Sequence, residues 1–242
     1  NEAVARTEAL LWAHPYQPES LSQGAMEIIG VLEARLAEIF GMSEVTLQPA
    51  AGAHGEYTGI ALVRAYHESL GNPRKRVLVP DSAHGTNPAT AVMAGYEIQT
   101  IKSNEHGMLD PAALEAAVNE DVAALMVTNP NTVGVFEENI VKVADILHAK
   151  GAQLYMDGAN LNALVGIARP GDFGVDVLHS NLHKTFSTPH GGGGPGAGAV
   201  GVQAHLAPFL PAPRLRKNDA GAWTWDDNCP KSIGRVRTFY GN

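Results

Sequence analysis

The sequence predicts an α/β fold, a mostly parallel sheet with helices on both faces, and three observations carry that prediction. Near-continuous apolar runs such as RVLVP (76–80), VAALMVT (122–128) and QLYMD (153–157) suit strands buried on both sides. Amphipathic stretches of helical period alternate with them. Polar and small residues gather just after each apolar run, where ligands collect in sheets of this kind.

Taken in order, Met26, Ile28, Ile29, Leu32, Leu36, Ile39 and Phe40 recur at helical spacing between Gly24 and Gly41, with charged residues between them. A short strand at Val45 to Leu47 leads into small residues and then a helix from about Glu56 to Leu70, closed by Gly71. RVLVP is a strand, SAHGTNPATAVMAG a turn and short helix, and YEIQTI a strand. DPAALEAAV is a helix with Asp110 as N-cap and Pro111 at its first position. VAALMVT, QLYMD, VDVLHS and AGAVGV are further strands, with the helix NIVKVADILHAKG after the first of them. From Pro208 to Pro230 the chain is richer in Pro, Trp and charge, and should leave the sheet. The organisation expected is a helical segment over 1–44, the large domain over 45–207 and a linker beginning at 208–242.

With 242 residues, 45% of them hydrophobic, the chain can bury a substantial core. A formal net charge of -8 argues against a nucleic-acid or anionic-membrane surface, since either requires clustered Lys and Arg. One cysteine, Cys229, excludes an internal disulfide framework and fits a reducing compartment. No apolar stretch approaches the roughly 20 residues that cross a bilayer, and no signal peptide is evident, so a cytoplasmic location is expected. Opening on Asn1 and closing on VRTFYGN, the chain reads as a fragment.

The strand ends are AGAHGE (51–56), DSAHGTNP (81–88), TNPNTVG (128–134), DGANLNA (157–163) and SNLHK (180–184). Turn chemistry alone explains Gly, Asn, Asp and Pro there. Less ordinary is one Asp, one Lys and several His at the same end of one sheet. Asp157 is either a cap or loop residue, or a carboxylate that keeps a pyridinium nitrogen protonated. Lys184, one strand later, could join the same ring's aldehyde as a Schiff base. Gly52, Ala53 and His54 lead into a helix, whose free N–H groups and dipole suit a phosphate. The imidazole of His84 could stack on an aromatic cofactor, or be a hydrogen-bonding loop residue.

Two motifs are set aside. GGGGPG satisfies G-x-G-x-x-G, but follows STPH rather than a strand and precedes a strand rather than a helix, so no dinucleotide site is expected. His179 and His183 have a spacing that could chelate a metal on a helix, but His179 reads as strand and no acidic or Cys partner adjoins them; no metal is expected.

LQPAAGAHGEYTG, PDSAHGTNPAT, TNPNTVGVFEENI, DGANLNALVGIARPGDFGVDV, NLHKTFSTPHGGGGPGAG and PKSIGRVRTFYGN resemble the pyridoxal 5'-phosphate (PLP) glycine decarboxylases. These are the P-proteins of the glycine cleavage system, and the resemblance is greatest to the lysine-bearing subunit 2 of the two-chain bacterial form. It extends over nearly the whole chain and implies the fold type I PLP-dependent transferase large domain, with a smaller C-terminal domain following it.

The same resemblance implies that Lys184 binds PLP covalently, Asp157 pairs with the pyridine nitrogen, His84 stacks on the ring, and Gly52, Ala53 and His54 meet the phosphate. Asn87, Thr128 and His183 are further cofactor-binding candidates. Implied partners are glycine, the lipoylated H-protein and subunit 1 of the P-protein, in a heterotetramer. The glycines at 191–194 would then either form a narrow passage for the lipoyl arm or let two backbones pack closely. Rival readings are another fold type I enzyme, an amino-acid decarboxylase or aminotransferase, and a non-catalytic assembly subunit.

Overall fold

Side chains that are apolar on both sides of a strand need cover on both sides, and helices provide it. The computed structural model describes residues 2–8, 14, 16–192 and 196–238. After a helical turn at Glu2–Ala5 come α1 (Gln23–Phe40), β1 (Glu44–Thr46), α2 (Gly52–Ser69), β2 (Arg76–Pro80), α3 (Thr86–Met93) and β3 (Glu97–Ile101). They are followed by α4 (Pro111–Ala117), β4 (Val122–Thr128), α5 (Ile140–Ala149), β5 (Gln153–Gly158), β6 (Val177–Ser180), α6 (Leu182–Thr185) and β7 (Ala199–Val202). A ribbon of β8 (Arg214–Lys217) and β9 (Trp223–Asp226) lies outside the main sheet, as the change in composition beyond residue 208 predicts.

The main sheet has seven strands in the order β1-β7-β6-β5-β4-β2-β3. Pairing is parallel throughout except at β7, which runs antiparallel to both β1 and β6. Alternation along the strands sorts the core into two. Leu78, Leu125, Val127, Leu154, Met156 and Leu178 pack with Leu36 and Phe40 of α1, Leu114 of α4 and Leu147 of α5. On the opposite face Val77, Val79, Met126, Tyr155, Val177 and Val200 pack with Ile60 and Val63 of α2 and Ala91 of α3. Asp110 caps α4, its Oδ1 accepting the Ala112 N–H at 3.0 Å. Among the described residues no helix is long and apolar enough to cross a membrane.

One boundary moves. Helix α2 starts at Gly52, a turn before the Glu56 predicted from periodicity. The apolar pattern weakens there because this turn packs against backbone: a Cβ on Gly55 would come 2.6 Å from the Gly198 carbonyl oxygen.

The ribbon is clamped to the start of α1, where Gln23 Nε2 donates to the Trp223 carbonyl and Gln23 Oε1 accepts from the Trp223 N–H, both at 2.8 Å. Beneath it lies Glu33, whose Oε1 accepts the Leu47 N–H at 3.2 Å. Burial pushes the Glu33 carboxyl up from 4.5 to about 7, against the opposing effects of that hydrogen bond and of Arg214 and Arg216. The folded chain therefore binds this proton more tightly than the unfolded chain does. Glu33 should stabilise most at low pH, and its contribution should fall as pH rises from about 4.5 through about 7, then level off. Urea midpoints at about pH 5 and about pH 8 test this. The fall should be smaller in Glu33→Gln, and equal falls in both proteins would contradict it.

Candidate active site

Strands β4, β5 and β6 end at one edge, and their register sets Thr128 beside Asp157 and Asp157 beside His179. All three are buried. Asp157 Oδ2 accepts from Asn87 Nδ2 at 3.0 Å and Oδ1 from the Ala159 N–H at 2.9 Å, while His179 Nε2 lies 3.3 Å from Oδ1. Burial alone would raise this carboxyl. The His179 ring, the Asn87 and Ala159 hydrogen bonds and the Lys184 charge outweigh it and hold Asp157 below the usual carboxylate range.

Over this edge opens a cleft of about 250 Å³ whose lining includes Gly52, Ala53, His84, Thr128, Asp157 and Lys184. Lys184 lies on α6, immediately beyond β6, and is exposed. Helix α2 points its first turn at the cleft. Its N-cap Ala51 offers no capping side chain, so the N–H groups of Gly52, Ala53 and His54 have no partner from the helix itself. His84 is tethered through Nδ1, which accepts the Thr86 N–H at 3.2 Å and lies 2.8 Å from Thr86 Oγ1; that hydroxyl donates to Glu56 Oε2 at 3.0 Å.

The other predicted residues divide. Asn87 stands behind Asp157 as its hydrogen-bond donor. The His54 side chain turns back, Nδ1 accepting the Ala50 N–H at 3.1 Å, and His54 does not line the cleft. His183 does not line the cleft: its Nδ1 accepts the Ala197 N–H at 3.2 Å, and its ring meets His190 edge-on at 4.6 Å. Burial, then His190 and Lys184, keep its imidazole below the usual value. In the glycine run, Gly191 and Gly192 have φ of 66° and 76°, and Gly192 has open space around it. Gly193 and Gly194 lie outside the described residues. Beyond the run, Gly196 and Gly198 are closely packed, against His183 and the Ala51 backbone.

Glu56, Asn181 and His179 were not anticipated in the cleft. A signal existed for His179, because a polar residue near the end of VDVLHS falls opposite Asp157 once neighbouring strands are taken as parallel. Glu56, Asp157 and His179 offer ligand atoms within 4.8 Å of one another. Asp157 thus adjoins His179 in space, although no acidic residue adjoins it in sequence.

The donors and acceptors present fit PLP. Glu56 Oε1, Asn87 Oδ1, Thr128 Oγ1 and Asn181 Oδ1 are buried at this edge with no hydrogen-bond partner among the described residues. A buried polar atom left so is costly unless a ligand meets it. Helix N–H groups suit the phosphate, Asp157 a ring nitrogen and Lys184 an aldehyde.

Solved structures share this architecture. A crystal structure of glycine decarboxylase (P-protein) of the glycine cleavage system, in inhibitor-bound form, matches with a TM-score of 0.78 at 23% identity, over 100% of this chain and 55% of that one. A NifS-like protein matches with a TM-score of 0.67 at 17% identity, over 84% of this chain and 54% of that one. The fold is that of the fold type I PLP-dependent enzymes. The family model for the glycine cleavage system P-protein matches residues 4–215. This chain belongs to the glycine cleavage system P-protein family. It is 59% identical to a probable glycine dehydrogenase (decarboxylating) subunit 2 of Listeria innocua, over 100% of this chain and 50% of that protein. A protein of the same description from Shouchella clausii is 58% identical, over 100% of this chain and 49% of that protein. The chain spans about half the length of the curated relatives it matches.

Proposed function

We propose that this chain carries the PLP-binding, lysine-bearing part of a cytoplasmic glycine decarboxylase. That enzyme decarboxylates glycine and transfers the aminomethyl group to the lipoyl arm of the H-protein, working with subunit 1 of the P-protein in a heterotetramer. One observation carries the reading: Asp157, Lys184 and the uncapped start of α2 surround a single cleft at the carboxyl edge of the sheet.

In this reading Lys184 holds the cofactor covalently, and its exposed position leaves it open to an incoming amino acid. The N–H groups of Gly52, Ala53 and His54 hold the phosphate. Asp157 keeps a proton at the ring nitrogen, while Asn87 and Thr128 orient and border that carboxylate. His84 lies on the ring face, tethered by Thr86. His183 supports the segment that follows Lys184 rather than the ring. Bound PLP supplies an electron sink for the charge left at the glycine α-carbon when carbon dioxide departs.

Borohydride reduction after adding PLP, followed by peptide mapping, tests the site in the chain alone and with subunit 1 present. A label at Lys184, lost in Lys184→Ala, is expected. A label elsewhere, or none in either preparation, would refute the assignment. Release of carbon dioxide from carboxyl-labelled glycine should require lipoylated H-protein. Release of free amine without it would instead favour an ordinary amino-acid decarboxylase.

A further inference from the structure

Tyr155 poses a question of its own: why a phenol rather than a phenyl ring fills a site that is 0% exposed and does not line the cleft. A hydroxyl there is costly unless it is bonded. Its partner is His179 Nδ1, at 2.6 Å. Burial, and then the charges of Glu56 and Asp157, push the phenol well above its ordinary value, so it keeps a proton that it can donate. Donation from the phenol to His179 Nδ1 would put the ring proton on Nε2, 3.3 Å from Asp157 Oδ1. The groups that face this ring are Tyr155 and Asp157 from β5 and Glu56 from α2. The charge of Lys184 acts on Asp157 from α6.

We propose that Tyr155 and His179 are positioning residues: the phenol fixes one tautomer of the histidine, and the histidine holds Asp157 aimed at the cofactor ring. The inference rests on the reading that Asp157 serves the ring nitrogen of PLP. Its geometry follows from the sheet. Residues 155 and 157 share a face of β5, and β6 sets His179 level with Asp157. Helix α2 presses on the phenol from above, since a Cβ on Gly59 would come 2.6 Å from Tyr155 Cε2.

Tyr155→Phe removes the hydroxyl and keeps the ring. In the PLP-loaded protein with its partner subunit, kcat should fall about tenfold, as loss of a supporting partner does at comparable sites, with KM for glycine and PLP content unchanged. The pH at which the absorbance of the bound cofactor titrates should move, a readout that a role in packing alone would not shift. His179→Gln, whose amide can still donate to Asp157, should retain more activity than His179→Leu. Without PLP, nitrogen NMR of labelled histidines should show His179, identified by its loss in His179→Gln, as the Nε2–H form in wild type and as a mixture in Tyr155→Phe. The same tautomer in both proteins, with the same absorbance titration, would overturn the inference. Failure of PLP to label wild-type Lys184 would overturn the cofactor reading instead, because the tautomer comparison needs no PLP.

Discussion

Asp157→Asn is expected to lower kcat of the PLP-loaded protein by about two to three orders of magnitude while leaving the chain folded and the cofactor bound. The fold should tolerate the change because an amide at this position can still accept the Ala159 N–H that Oδ1 now accepts. Asn87 can accommodate the new NH₂ by turning its side chain, since its own Oδ1 has no hydrogen-bond partner among the described residues. A neutral amide, however, cannot hold a proton on a ring nitrogen, so the cofactor loses its capacity to accept charge. The contacts proposed for phosphate and aldehyde lie elsewhere in the cleft, which is why occupancy should persist. Steady-state kinetics with glycine, beside a measured PLP content, tests both halves. A variant within tenfold of wild type would mean that Asp157 does not serve the ring.

Gly55→Val should destabilise the chain by about 3 kcal/mol and weaken PLP binding with it. The obstacle at position 55 is backbone: the Gly198 carbonyl oxygen, 2.6 Å from where Cβ would sit. A flexible side chain could swing away, but this carbonyl leads directly into β7. Valine adds two further methyl groups on a stiff χ1. The first turn of α2 must then move, taking with it the N–H groups proposed for the phosphate. Gly24→Ala is the control, for nothing lies within 4 Å of its Cβ position and it should be neutral or slightly stabilising. Urea midpoints of the two variants should differ clearly. Equal midpoints would show that the contact between α2 and β7 yields easily.

The strands and most helices were legible because burial on two faces leaves uninterrupted apolar runs in β2, β4 and β5, and burial on one face leaves helical periodicity in α1. Asp157 and Lys184 were legible for a related reason, since strand ends can be located before strand order is known. The start of α2 was less so, because Gly52 packs on the Asn181 side chain and Gly55 on the Gly198 backbone, and neither leaves an apolar signature. His179 and Tyr155 were missed because their roles depend on register. A histidine in a strand signifies little until it is known that β6 pairs with β5 and which residues stand level. The antiparallel course of β7 was equally hidden, since AGAVGV reads the same in either direction.

That direction of β7 has a consequence for how the site can vary. Because β6 and β7 run opposite ways, the segment between Ser180 and Ala199 leaves and rejoins the sheet at the same edge. Its first turn brings Asn181 and Lys184 to the cleft beside Thr128, Asp157 and His179. Since both ends of this connection are held at one edge, its length can change from one relative to another while the strand pairing stays as it is.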